Sequence, residues 1–265
     1  IFLDDQVFNR LDSQYSLLAP RGKILDRNGN VLALDIKGFS VGVDLEKFKF
    51  EEATITFLSE LLDKDPLSLS NILYGKSSGY KEISRNINFE TKEKLKVKKI
   101  PGVYFRENLR RSYPERNIIS HVVGLTDIDR KGIQGVELIF DNELRGEEGS
   151  FEGIKGAKNT KLEGTRIEAV SGKNITLTID INIQSIAYHQ LNEAIKENNA
   201  KSGSIVVIEP KSGDILGLVN YPSFDPSNRK NLKDMSKLRN RATIDIFEPG
   251  SVLKPLAMSA ILESD

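Results

Sequence analysis

Ser251 and Lys254 stand three residues apart in Phe247-Glu248-Pro249-Gly250-Ser251-Val252-Leu253-Lys254-Pro255, and together they could do nucleophilic chemistry. A serine hydroxyl is a poor nucleophile until a base takes its proton. On a helix, residues three apart share a face, so Lys254 would lie beside the Ser251 hydroxyl. Burial of the lysine would disfavour its charged form and leave an amine able to accept that proton. The free N–H groups of a helix N-terminus would add a positive field at the reacting oxygen. The same spacing recurs at Ser78–Lys81 and Ser227–Lys230. Both lie in loop-like surroundings, Ser77-Ser78-Gly79-Tyr80 and Asp225-Pro226-Ser227-Asn228, that would not hold a lysine over a serine. Only Ser251 follows a Pro-Gly turn and opens an apolar segment, Leu256, Ala257, Met258, Ala260, Ile261 and Leu262. A helix apolar nearly all round is expected to be buried. Pro255 suits a first helical turn, where its missing N–H costs little. On local physics alone a second reading stays open, with Ser251 a helix cap and Lys254 an ordinary first-turn lysine.

Other chemistries find less support. The 265 residues contain no cysteine, which excludes disulfides, thiolate metal sites and thiol nucleophiles. The two histidines, His121 and His189, are far apart and read as ordinary side chains, so a metal site built on them is not expected. Lys plus Arg and Asp plus Glu number 38 each, so no basic footprint points to nucleic acid. No apolar run approaches the roughly 20 residues that span a bilayer. The sequence starts abruptly at Ile1 and stops abruptly at Asp265 after an apolar pattern, and both ends read as cuts in a longer protein.

The elements that must position Ser251 are legible in part. Asn28-Gly29 between two short apolar runs predicts a hairpin. Strand-like alternation follows at Phe39–Val43, and helices are expected at 50–64, 66–73 and 90–98, with a lysine-rich solvated face on the third. A turn and strand are expected at 100–105, a glycine-punctuated turn at 132–137, and a helix at 136–144. Arg106, Arg110, Arg111 and Arg116 are expected to pair with nearby Glu107 and Glu115. Residues 146–173 read as exposed strands and loops, and the domain boundary is placed at 172–173. Beyond it, Ile175–Ile179 is β-rich, Asp180 can cap a helix running to about Asn198, and 204–209 and 215–219 form a hairpin. A long connection, 221–250, then delivers the chain to Ser251. Long loops in compact domains are usually functional or disordered.

Several ordered motifs carry a family resemblance. Arg239-Asn240-Arg241-Ala242 followed by Phe247 to Pro255 resembles the active-site region of class B penicillin-binding proteins, most closely the division-specific, septal transpeptidases. Arg21 to Gly29 looks like the family's N-terminal signature, and Leu109 to Pro114 and Gly132 to Glu137 look like its pedestal motifs. Gly203 to Pro222 looks like the hairpin that opens its transpeptidase domain. The resemblance implies an α+β fold: a β-rich pedestal over 1–172, then the first part of a transpeptidase domain, antiparallel sheet with helices, over 173–265. It implies Ser251 as nucleophile and Lys254 as general base, with no metal or cofactor. Peptidoglycan stem peptides would be the substrate and β-lactams would acylate the same serine. Divisome membrane proteins, including a lipid II polymerase, would be partners. The protein would sit on the extracytoplasmic face of the bacterial cytoplasmic membrane, held by an N-terminal membrane helix absent from this chain.

The sequence also departs from the family. The Ser-x-Asn motif and the Lys-Thr-Gly strand that line the family's pocket do not follow Ser251, because eleven residues remain after Lys254. Lys-Ser-Gly occurs at 201–203 and 211–213, ahead of Ser251 at turns, and reads as chance. The chain alone is therefore expected to be inactive or nearly so. Competing readings are a pedestal that serves as a divisome interaction module, a penicillin-recognising hydrolase or sensor, and an elongation-type transpeptidase.

Overall fold

The computed structural model describes residues 12–74, 79–155, 161–228 and 234–264. In chain order its elements are β1 (Asp12–Leu17), β2 (Ile24–Leu25), β3 (Val31–Asp44), α1 (Glu52–Leu62), α2 (Pro66–Tyr74), β4 (Tyr80–Ile87), α3 (Phe89–Val97) and β5 (Val103–Ser112). They continue with α4 (Ser120–Val123), β6 (Leu125–Thr126), β7 (Gly132–Gln134), α5 (Gly135–Ile139), α6 (Asp141–Leu144), β8 (Gly149–Lys155) and β9 (Lys161–Ile167). The last are β10 (Ile175–Thr176), α7 (Ile181–Glu197), β11 (Gly203–Ile208), β12 (Ile215–Tyr221), α8 (Arg241–Ile244) and α9 (Lys254–Glu263). The α+β expectation is met, and the expected helices of the first half fall at α1, α2 and α3.

One long strand organises the first half. β3 pairs antiparallel with β2 at its start, then with β4 on one side and β5 on the other. The Asn28-Gly29 turn is present; Gly29 alone takes positive φ, 86°. The three helices α1–α3 cover the far end of β3. Val41, Val43, Leu58, Leu69, Leu73 and Leu95 meet there in a closed core. Each such side chain contributes about 1.5–3 kcal/mol through burial. Near the start of β3 a second core gathers Ile24, Leu32, Tyr113, Ile119, Val123 and Leu144. It also takes in Ile179, and Ile175 and Leu177 pack against it. β10 adds to β2 in parallel, so the segment after residue 173 reaches back onto the first half. β1, β8 and β9 form a separate antiparallel sheet.

Asp180 caps α7 as expected, accepting from the N–H groups of Asn182 (2.9 Å) and Ile183 (3.4 Å). α7 packs its Ala187, Leu191 and Ile195 stripe on the β11–β12 hairpin at Val219. The hairpin's apolar run covers only one face. Val206 and Ile208, pointing away from α7, are exposed. A strand alternates its side chains, so one helix can bury only one of its two faces.

Along the lysine-rich face of α3, Lys94 and Lys96 are exposed and paired to Glu90 and Glu93, whereas Lys92 is half-buried with its ammonium 3.5 Å from the Phe39 ring centroid. Arg111, by contrast, pairs with neither Glu107 nor Glu115. Its partners are Glu137 and Asp35, brought to it by the sheet from 26 residues on and 76 residues back. Local sequence distance misled here, because β3 and α5 deliver carboxylates to the same buried point.

Candidate active site

Ser251 lies in a 3-10 turn, Gly250–Leu253, and Lys254 begins α9, with Pro255 in its first turn. The two side chains therefore stand on consecutive helical turns, as their spacing requires. The expected burial is not found. Every described residue from 250 to 264 is exposed, including Leu256, Met258, Ile261 and Leu262. A helix buries an apolar side chain only against a second surface, and among the described residues none lies over this one. The Lys254 N–H donates to the Ser251 carbonyl in the helical turn, but among the described residues neither the Ser251 hydroxyl nor the Lys254 amine makes a hydrogen bond or ion pair. Of the two repeats of the spacing, Ser227 lies in an exposed turn, while Ser78 and Lys230 fall outside the described residues.

What holds the approach to Ser251 is built from buried polar side chains. Asn220, at the end of β12 and 1% exposed, is the hub. Its Oδ1 accepts from the Ala242 N–H (2.8 Å) and the Ser204 hydroxyl (2.7 Å). Its Nδ2 donates to Asn240 Oδ1 at 2.9 Å. The N-terminus of α8 is thereby fastened to the hairpin. Asp245, which follows α8, pairs with Arg239 and Arg241. Asn220 and Asn240 belong to motifs singled out in the sequence, but their pairing has no sequence signal; it exists only once the hairpin is folded.

α7 is pinned by Gln184, which is fully enclosed. Its Nε2 donates to the Ile118 carbonyl (2.7 Å) and the Leu218 carbonyl (2.8 Å), and its Oε1 accepts from the Leu218 N–H (2.7 Å). Asp26, also fully enclosed, accepts from the backbone N–H groups of Asn28 and Asn30 at 2.8 Å each and of Ile181 at 3.2 Å. Burial by itself would raise the Asp26 pKa. The donors from Asn30, Ile181 and Asn28 outweigh it and hold the carboxyl below its ordinary range.

The three segments singled out in the first half converge on one ion cluster. Arg21 Nε and Arg111 Nε reach the two oxygens of Glu137, each at 2.6 Å. Arg21 also reaches Asp141 (2.7 Å), and Asp35 takes Arg111 (3.2 Å) and Arg130 (3.0 Å). The Arg21, Arg111, Asp35 and Glu137 side chains are 3% exposed or less. Burial tends to raise the Asp141 pKa, but the Gly132 N–H and Arg21 hold it below the usual carboxylate range.

His121 is buried, edge-on to Phe224 with ring centroids 5.4 Å apart. Its Nε2 lies 2.9 Å from the Lys237 carbonyl. A carbonyl only accepts, so this nitrogen carries a hydrogen. Burial, with a smaller contribution from Arg241, pushes the His121 pKa below its ordinary value. His189 is exposed beside Tyr188. No group of three or more His, Cys, Asp or Glu among the described residues is arranged to hold a metal ion.

Comparison with known proteins assigns both halves. Residues 16–177 match the family described as penicillin-binding protein dimerisation domain, and residues 203–265 match the penicillin-binding protein transpeptidase domain. The chain belongs to the class B penicillin-binding proteins. It is 37% identical over 270 residues to the probable peptidoglycan D,D-transpeptidase PenA of Neisseria gonorrhoeae, covering 99% of this chain and 46% of that protein. It is 32% identical over 260 residues to the peptidoglycan D,D-transpeptidase FtsI of Escherichia coli, covering 92% of this chain and 42% of the relative. The chain thus spans less than half the length of these relatives. The fold is shared with the penicillin-binding protein in a solved complex of PBP2 and MreC from Helicobacter pylori, with TM-score 0.68 at 22% identity over 96% of this chain and 52% of that one. No helix of the described part of this penicillin-binding protein is long and apolar enough to cross a membrane.

Proposed function

We propose that this penicillin-binding protein is a serine D,D-transpeptidase that cross-links peptidoglycan stem peptides during septal wall synthesis. The observation that carries the reading is the transpeptidase-family match over 203–265, within which Ser251 and Lys254 stand on one helix start. Ser251 Oγ attacks the carbonyl of the penultimate D-Ala, and Lys254 accepts the hydroxyl proton. The terminal D-Ala leaves with a proton on its amine. The amine of a neighbouring stem then displaces Ser251 from the ester and forms the cross-link. A β-lactam carbonyl takes the same attack, with its ring amide as the bond broken.

Two uncovered apolar surfaces support a larger catalytic unit: the whole of α9 and the outer face of β11 at Val206 and Ile208. The relatives are about twice as long, and the reading places the remaining pocket walls in the part of them that this chain does not match. Those walls would cover α9 and bury Lys254, lowering the cost of its neutral form. The functional division falls at 172–173, with residues 1–172 the pedestal and 173–265 the opening of the transpeptidase domain. The reading also places the protein on the extracytoplasmic face of the cytoplasmic membrane, anchored by a membrane helix. Divisome membrane proteins, a lipid II polymerase among them, would be its partners.

The test is labelling of the full-length protein by a fluorescent penicillin. Wild type takes the label; Ser251→Ala takes none and Lys254→Ala takes it at least a hundredfold more slowly, the scale of general base catalysis (~10²–10⁴). Equal labelling of the Ser251→Ala variant overturns the assignment.

One observation favours a second role for the pedestal as a divisome interaction module. Phe50 and Tyr74 stack in the open with centroids 4.9 Å apart, and Leu67 beside Tyr74's helix start is 74% exposed. Partner binding that survives Ser251→Ala but not Tyr74→Ala supports this role; binding indifferent to Tyr74 counts against it.

A further inference from the structure

The segment that leads to Ser251 is held at both ends of a short strap, Lys237–Ala242, and the two ends belong to different halves of the molecule. At the far end Asn220 of the hairpin binds Asn240 and the Ala242 N–H. At the near end the holders come from the pedestal. His121 Nε2 donates to the Lys237 carbonyl at 2.9 Å, and Gln134 Nε2 donates to the Leu238 carbonyl. These donors lie 116 and 104 residues from their acceptors.

The pedestal donors are themselves tightly set. His121 is 5% exposed, and its ring stands edge-on against Phe224, 2% exposed, from the same connection that contains the strap. Gln134 is fixed through its backbone. Gly124 (φ 77°) lets α4 approach so closely that an added Cβ there would lie 1.9 Å from the Gln134 carbonyl oxygen. After Asp245 the picture changes. Among the described residues, no hydrogen bond or ion pair links 246–264 to any earlier part of the chain. The strap is therefore the last tethered point before the Ser-x-x-Lys turn.

We propose that His121 and Gln134 are positioning residues by which the pedestal sets the placement of the segment bearing Ser251. They touch no reacting atom. They fix two successive carbonyls at the C-terminal end of the 3-10 turn Met235–Lys237, and Asn220 fixes the next polar groups along. With both ends held, α8 can start in one register only, and the chain leaves it toward Pro249-Gly250 in one direction. A displacement of the pedestal at α4 or β7 would be passed to the strap through these two bonds. This inference rests on the transpeptidase reading for its consequence, though not for the bonds themselves.

Two measurements separate the bonds from their consequence. The variants are His121→Phe, which keeps an aromatic ring on Phe224 but has no donor, and Gln134→Met, which keeps the length but has no donor. The first measurement is amide hydrogen exchange at Leu238, Ala242, Thr243 and Ile244. Each lost side-chain bond is expected to speed exchange there roughly fivefold, and the double variant more than tenfold. Amides of the first core, at Val41 and Leu58, serve as the folding control and should remain the far more strongly protected set in every variant. Exchange at the strap unchanged in both variants overturns the latch. The second measurement is the rate of acylation of the full-length protein by a penicillin. The double variant is expected to acylate at least tenfold more slowly while still folding cooperatively, its unfolding midpoint lower by only a few degrees. Faster strap exchange with wild-type acylation overturns the positioning role. A wild-type protein that takes no penicillin contradicts the transpeptidase reading instead, while the exchange result still decides whether the pedestal holds the strap.

Discussion

Glu137 sits at the centre of the pedestal's buried ion cluster. It receives Arg21 on one oxygen and Arg111 on the other, with almost no water contact at any of the three. Replacing such a residue leaves two buried guanidinium groups short of a partner. Loss of one member of a buried ion pair costs about 3–5 kcal/mol. Glu137→Ala should therefore lower the thermal unfolding midpoint by on the order of 10 °C. An exposed pair, Lys94 with Glu90 on α3, should tolerate Lys94→Ala with scarcely any change. Differential scanning calorimetry of the two variants checks both, and equal effects would contradict this ranking. The sequence makes the arginine cluster visible but not its partners. Resemblance to family motifs marked Arg21, Arg111 and Glu137 as belonging to notable segments; only the packing of β3, β5 and α5 shows that they meet. His121 is a second case. Nothing in its surroundings, Ser120-His121-Val122, distinguishes a strap-holding histidine from an ordinary core one.

At the scale of elements, periodicity and capping rules located α1, α2, α3 and α7, together with the β11–β12 hairpin. They succeed because each element's apolar stripe and its stop signals are local. The Asp180 cap is an example, and Asp180→Ala should cost about 1 kcal/mol, readable as a lower urea midpoint. α9 shows where local rules stop. Its composition says that it is apolar all round; what covers it is decided by another surface. The proposed larger catalytic unit leads to opposite outcomes in two settings. In this chain, Leu256→Lys with Ile261→Lys should leave the unfolding transition unchanged and reduce binding of a hydrophobic dye. In the full-length protein the same pair should abolish penicillin labelling. A loss of stability in this chain would contradict the exposed placement of α9.

Across the whole molecule, the buried and part-buried titratable groups respond over different pH ranges. His121 is held neutral by burial, next to Arg241 and against Phe224, so its folded pKa lies below its unfolded one, about 6.5. The unfolded chain then binds the extra proton first. Its contribution to stability is complete above that unfolded value and is lost as the pH falls below it. Asp26 and Asp141 are also depressed, but as carboxylates with unfolded values near 3.9 they matter only in a more acidic window. The unfolding midpoint should therefore fall between pH 7.5 and pH 5 in wild type, and His121→Phe should flatten that part of the profile. An identical profile in the variant would remove His121 from the account. The order of the motifs, with the Arg21 segment ahead of the β11–β12 hairpin and Ser251, was legible in the sequence. The return of β10 onto β2 was not, because a two-residue parallel bridge leaves no periodicity to read.

The central claim is that Ser251 is the nucleophile. It is tested most directly by treating the full-length protein with benzylpenicillin, digesting it, and locating the adduct by mass spectrometry. The account predicts one added penicilloyl group per chain, on the peptide containing Ser251 and on that residue. An adduct confined to another serine, or a protein that takes none, would contradict it.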